Sequence, residues 1–202
     1  MNDAQSLFLA VNQHLLHDEK PSNFLNYVSG LLLFRDYPFS MLERLKYTKQ
    51  TPIYHPEGNV WNHVMMVIDQ AAKFKVYSQD PAVFMWAALL HDIGKPGTSR
   101  EKKGKITSYN HDKLGEKLAC EFLFSFTSDL SFVESVSALV RWHMQILFVV
   151  KGRPLADVEK MKKDVNVQEV ALLGLCDRLG RTQVDDQQEY SNIQKFLEKV
   201  NL

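Results

Sequence analysis

The chain has 202 residues, 45% of them hydrophobic, which suits one large domain with a real core. Lys and Arg balance Asp and Glu at 24 each, so no global basicity points to nucleic-acid binding, although a local basic patch remains open. Two cysteines, Cys120 and Cys176, exclude a disulfide framework or a paired-cysteine metal site and read as small buried hydrophobes.

The pattern is mostly helical. Leu7, Phe8, Val11 and Leu15 recur at helical spacing, as do Leu25, Val28 and Leu32. A longer helix is expected from near Asn59 to beyond Val76, with Val60, Val64, Val67, Ile68 and Ala71 on its inner face. Pro81 opens the next helix, expected to end at Ile93-Gly94 because Pro96 cannot extend it. Residues 95–110 read as a loop or short hairpin. Helical spacing resumes through Leu114, Leu118 and Phe122 to Phe126. Ser131-Phe132-Val133-Glu134 reads as a capping box opening a helix with Val136, Leu139 and Val140. Residues 151–166 suggest a loop with a short helix; 167–179 and the tail 190–200 are helical. The longest apolar run, 84–90, is too short to span a bilayer, and the first residues lack the features of a signal peptide. A cytoplasmic protein with no membrane partner is the expectation.

Chemistry concentrates in His91-Asp92-Ile93-Gly94, read with His63, His111, His143 and Asp177. These metal-ligand residue types stand beside or within strongly apolar segments, and a buried imidazole or carboxylate needs a partner. Any one of these histidines is more often structural than a ligand; the set as a whole suggests a shared ion. His91 and Asp92 diverge by roughly 100° on a regular helix, so they can share an ion only near a helix end, where chain geometry relaxes. His63 would come from the preceding long helix and Asp177 from a late one.

His111 and His143 suit a second ion, with Asp92 bridging; with one ion they would instead bind substrate or shuttle protons. Two divalent cations would leave an excess of positive charge that favours a phosphate ligand. Imidazole and carboxylate donors fit one or two divalent ions among Mn, Ni, Co, Fe, Zn and Mg. The loop carrying Lys95, Arg100, Lys102, Lys103 and Lys105 could hold phosphate oxygens, with Lys95 nearest the ligands, although such a loop is often only solvated. Arg141, Arg178 and Arg181 flank ligand positions and could clamp phosphate. His55 could line the pocket but reads first as a turn or loop residue, His14 and His17 read as surface residues, and Asp69 and Asp112 as surface acids.

The order His63, His91-Asp92, Asp177 resembles the HD superfamily of metal-dependent phosphohydrolases. The stretch from His55-Pro56-Glu57-Gly58 to His63 resembles, more narrowly, the HD domain attached to bacterial CCA-adding tRNA nucleotidyltransferases. Tyr109-Asn110-His111-Asp112, Val140-Arg141-Trp142-His143 and Asp177-Arg178-Leu179-Gly180-Arg181 are similar to its later motifs. The resemblance implies an all-α helical bundle, with residues 1–51 as a helical extension packing on an HD domain over 52–202. It implies a divalent metal on His63, His91, Asp92 and Asp177, with His111 and His143 joining if a second is bound. Asp92, Lys95, His111 and His143 are then the expected catalytic residues.

The implied activity is hydrolysis of a nucleotide or RNA-end phosphomonoester, or of a 2′,3′-cyclic or other phosphodiester. No catalytic acidic pair with a glycine-serine loop stands near the N-terminus, so nucleotide addition is not expected. The alternatives are a metal-containing ligand-sensing or interaction module without catalysis, and a di-iron oxygenase.

Overall fold

A computed structural model describes residues 3–201. Its elements are α1 (Ala4–His17), α2 (Pro21–Val28), α3 (Ser40–Glu43), α4 (Val60–Phe74), α5 (Pro81–Leu90), α6 (Lys95–Thr98), α7 (His111–Phe124), α8 (Leu130–Trp142), α9 (Gln145–Val150), α10 (Val158–Asp164), α11 (Val167–Leu179) and α12 (Asp186–Asn201). Short 3₁₀ turns cover Leu32–Arg35, Arg44–Tyr47 and Lys75–Tyr77. The one sheet among the described residues is a hairpin of β1 (Arg100–Lys102) and β2 (Lys105–Thr107). The fold is all-α.

Helix α5 is the axis. Val83 to Leu90 are all buried, as a helix apolar on every side requires. It packs against α1, α4, α8 and α11. Asp80 starts it by accepting from the amides of Ala82 and Val83, and Pro81 supplies a pre-set φ at the first turn. Asn59 caps α4 in the same way through the amide of Asn62. Val60, Val64, Val67, Ile68 and Ala71 form the buried stripe of α4.

The N-terminal segment shares this core. Phe8 stacks between Trp86 and Phe126, with ring centroids 4.7 and 4.5 Å away. Asn12 and Asn26 accept from the indole N–H groups of Trp86 and Trp61, and Asp69 accepts from the amide and hydroxyl of Ser22. Asp69 is thus a docking residue for α2 rather than a surface acid.

Several boundaries differ from expectation. Helix α4 ends at Phe74 and runs into a 3₁₀ turn. Leu32 leaves the helical register and is 77% exposed. Helix α5 stops at Leu90, and Pro96 lies inside the first turn of α6, where its missing N–H costs nothing. Asp129, not Ser131, caps α8 by accepting from the amide of Phe132. The basic segment is a hairpin whose turn, Lys103-Gly104, has positive φ at both residues.

The stretch Leu130–Val150 is long and apolar enough, by length and composition only, to cross a bilayer, which a count of uninterrupted apolar residues missed. It is broken by a turn at 143–144 and more than half buried, as the core helix of a globular protein would be.

Candidate metal centre

Three local features bring distant side chains together. After Leu90 the chain tightens into turns with three-residue hydrogen bonds: the Ile93 amide donates to the Leu90 carbonyl at 3.0 Å and the Lys95 amide to Asp92 at 2.9 Å. This sets His91 and Asp92 at one end of the apolar axis. Gly94 then lets α7 approach, since a Cβ there would lie 2.1 Å from the His111 carbonyl oxygen. Gly180 does the same at the end of α11, where a Cβ would meet the Val67 backbone at 2.8 Å. His63 on α4 and Asp177 on α11 thereby meet.

The donors form two sets around one carboxylate. Asp92 Oδ2 lies 3.3 Å from His91 Nε2 and 3.9 Å from His63 Nε2, and His63 Nε2 lies 3.0 Å from Asp177 Oδ1. Asp92 Oδ1 lies 3.4 Å from His111 Nε2 and 4.0 Å from His143 Nε2, and these two nitrogens are 3.2 Å apart. All six residues are buried.

Their hydrogen bonding fixes which atoms are free. The Nδ1 atoms of His91, His111 and His143 lie 2.7–2.8 Å from the backbone carbonyls of Ala88, Ser108 and Val140. Each Nδ1 must therefore carry the proton, leaving an Nε2 lone pair turned toward Asp92. His91 Nε2 is buried with no hydrogen-bond partner, and Asp92 Oδ2 meets no donor at hydrogen-bonding angles. Nε2 lone pairs of His111 and His143 face each other, an arrangement that calls for a cation. Two ligands on an ion at about 2.1 Å stand roughly 3.0 to 4.2 Å apart for angles from 90° to 180°. All six separations above fall in that window. The donors fit a divalent metal, and the shared Asp92 fits two.

A family model described as HD domain matches residues 60–181. The chain belongs to the HD domain family. Its superfamily is one of metal-dependent phosphohydrolases, and members bind divalent metals. Similar relatives are proteins named Multifunctional CCA protein. The one from Actinobacillus pleuropneumoniae serotype 5b (strain L20) is 36% identical over 83 residues, covering 41% of this chain and 20% of that protein. Those from Thioalkalivibrio sulfidiphilus (strain HL-EbGR7) and Acidovorax sp. (strain JS42) are 26% and 27% identical over 154 and 146 residues. They cover 73% and 69% of this chain, but 36% and 33% of those proteins. The chain thus spans a fifth to about a third of the relatives it matches.

The HD domain opens at this centre into a cleft of about 1120 Å³, walled by Asp92, Lys95, His111, His143, Asp177, Arg178 and Arg181 among others. Lys95 Nζ lies 2.6 Å from both Asp92 Oδ2 and Gln50 Oε1. Burial works to raise the Asp92 carboxyl, but Lys95, His91 and His111 hold it well below the carboxylate range. Asp177 is likewise held low, against burial, by Arg181 and His63. Burial, the largest single influence, works to lower His91, but Asp92, the Asp177 charge and the Ala88 carbonyl together outweigh it and raise this imidazole. His143 is pushed down to about 3 by burial and by its His111 and His91 neighbours. His111 is also lowered, chiefly by burial. A proton is therefore a poor choice of cation between His111 and His143 near neutral pH.

The three arginines part company. Arg141 lies over the Trp142 ring and donates to Asp112, which is buried and not the surface acid expected. Arg181 donates to both oxygens of Asp177 at 3.0 and 3.2 Å. Arg178 lines the cleft and makes no salt bridge or side-chain hydrogen bond among the described residues. Proximity to ligands in sequence could not separate these roles. Of the loop cations, Lys95 and Lys105 reach the cleft, Arg100 lines a second cavity, and Lys102 and Lys103 are exposed on the hairpin.

Two residues ahead of α4 were undervalued. Glu57 Oε1 lies 3.2 Å from His63 Nδ1 and 2.8 Å from His55 Nδ1. Burial raises the Glu57 carboxyl, but the adjacent His63 imidazole and the hydrogen bond with His55 bring it down to about 2. His55 lines the cleft edge-on to His63 and is lowered to about 4, first by burial and then by Lys95. The signal was available: His55-Pro56-Glu57-Gly58 is a turn delivering a carboxylate just before a ligand helix, with Gly58 at φ 103°.

Proposed function

We propose that this HD domain hydrolyses a phosphomonoester or 2′,3′-cyclic phosphodiester of a nucleotide or RNA end. The observation that carries the reading is the double donor set hinged on Asp92 in the wall of a cation-rich cleft. His63, His91, Asp92 and Asp177 would hold one divalent ion, and Asp92, His111 and His143 a second. Bound there, such ions supply an activated water nucleophile and neutralise phosphate charge.

The chain's own groups prepare the rest. The backbone carbonyls behind His91, His111 and His143 hold each ring in the tautomer that exposes Nε2. Lys95, which donates to Gln50 and forms an ion pair with Asp92, keeps N–H capacity with which to offset charge on the leaving oxygen. Arg178 is the arginine free to grip a phosphate oxygen. Residues 1–51 are read as a helical extension that completes the core of the domain over 52–202.

The test is an assay of metal-stripped protein reloaded with Mn²⁺, Ni²⁺, Co²⁺ or Mg²⁺. Substrates are nucleoside 2′-, 3′- and 5′-monophosphates and 2′,3′-cyclic phosphates. Metal-dependent turnover, abolished in Asp92→Ala, is expected. Full activity in stripped Asp92→Ala, or no turnover of any of these by the loaded protein, contradicts it.

A further inference from the structure

A second cavity of about 410 Å³ lies between α6, the start of β1 and α7. Arg100, Lys113 and Lys117 line it with Thr98, Tyr109 and Asn110, and no acidic residue does. None of the three cations makes a salt bridge among the described residues, whereas Lys95, Arg141 and Arg181 all do. In a chain whose charges cancel overall, three unpaired cations in one concavity form a local anion site. Tyr109, Asn110 and Lys113 also line the metal cleft, so the two cavities meet across a single ridge. Tyr109 stands on that ridge with 72% of its surface exposed.

We propose that this outer cavity binds a second phosphate of the substrate, with Tyr109 stacking a base between the two phosphate positions. The preferred substrate is then an oligonucleotide end rather than a mononucleotide. A cationic track with an interposed aromatic ring is how single strands are held without sequence preference. This inference rests on the phosphohydrolase reading and extends it to a subsite remote from the metal donors.

The experiment compares uridine 2′,3′-cyclic phosphate with a dinucleotide carrying the same cyclic end, in wild type and in Arg100→Ala/Lys117→Ala. Wild type should show the lower KM for the dinucleotide. The double variant should raise that KM roughly tenfold, leaving kcat and the mononucleotide KM unchanged. Equal KM values in wild type, or an unaltered dinucleotide KM in the variant, overturn the subsite. Uridine 5′-triphosphate inhibiting as strongly as the dinucleotide binds would mark a polyphosphate pocket and also overturn it. Fluorescence anisotropy with labelled pentauridylate reads the subsite without turnover. The slope of log K against log salt should fall by about 0.7 in the double variant, the share of the one phosphate that the cavity neutralises. An unchanged slope refutes the subsite, whereas a changed slope in a protein that hydrolyses nothing refutes only the phosphohydrolase reading.

Discussion

Glu57→Gln should weaken metal binding by about 10- to 100-fold while leaving the fold intact. His63 differs from the other three site histidines, whose Nδ1 protons go to backbone carbonyls, because its Nδ1 faces a carboxylate 3.2 Å away. A carboxylate there holds the proton on Nδ1 and makes Nε2 a better donor. Glutamine has the same shape but can turn its NH₂ toward Nδ1, which moves the ring proton to Nε2, the ligand atom. The expected loss equals roughly 1.4–2.8 kcal/mol of binding. Because Asn62 donates to the Glu57 backbone carbonyl rather than its side chain, the turn before α4 is retained. Calorimetric titration of stripped protein with Mn²⁺ measures the effect, with the stripped protein's melting temperature as control. Affinity within about twofold of wild type, at unchanged melting temperature, would refute the relay.

Gly94→Ala places a Cβ 2.1 Å from a backbone oxygen that cannot give way, so a loss of about 1–3 kcal/mol or more is expected in urea denaturation. A wild-type midpoint would show that α7 does not approach so closely. Arg178→Ala should raise KM severalfold with metal affinity unchanged, while Arg141→Ala should chiefly lower stability by orphaning Asp112; the reverse pattern in kinetics and melting contradicts the assignment. For the stripped protein, His55 and His143 have folded values of about 4 and 3, below the unfolded 6.5. The unfolded chain then takes up protons first, so stability falls as pH drops from about 6.5 toward 4, by roughly a kcal/mol per unit for each group. His91, raised, acts in the opposite sense but is one group against His55, His111 and His143. A urea midpoint that rises on acidification would contradict this balance.

How much of this was legible in the chain varies with how local the cause is. Asn59, Pro81 and the apolar stripe of α4 are local signals, and the helices they announce are present. The end of α5 was misplaced because His91, Asp92 and Ile93 stay buried like helix residues although the chain has already tightened into turns. The six metal-ligand residue types stood out because buried donors are conspicuous, and they do converge. Partner choice was not legible: Arg141 pairs with an acid 29 positions away and Lys95 with Gln50, 45 positions away. Such pairs follow from the packing of α7 on α8 and of α6 beside the turn before residue 50, which no spacing rule encodes.

Asp92 joins the two donor sets, one oxygen to each. Titration of stripped wild type and Asp92→Ala with Mn²⁺, read as ions bound per chain, tests it most directly. About two equivalents in wild type and the loss of tight binding at both positions in Asp92→Ala are predicted. Equal stoichiometry and affinity in the two proteins would contradict it.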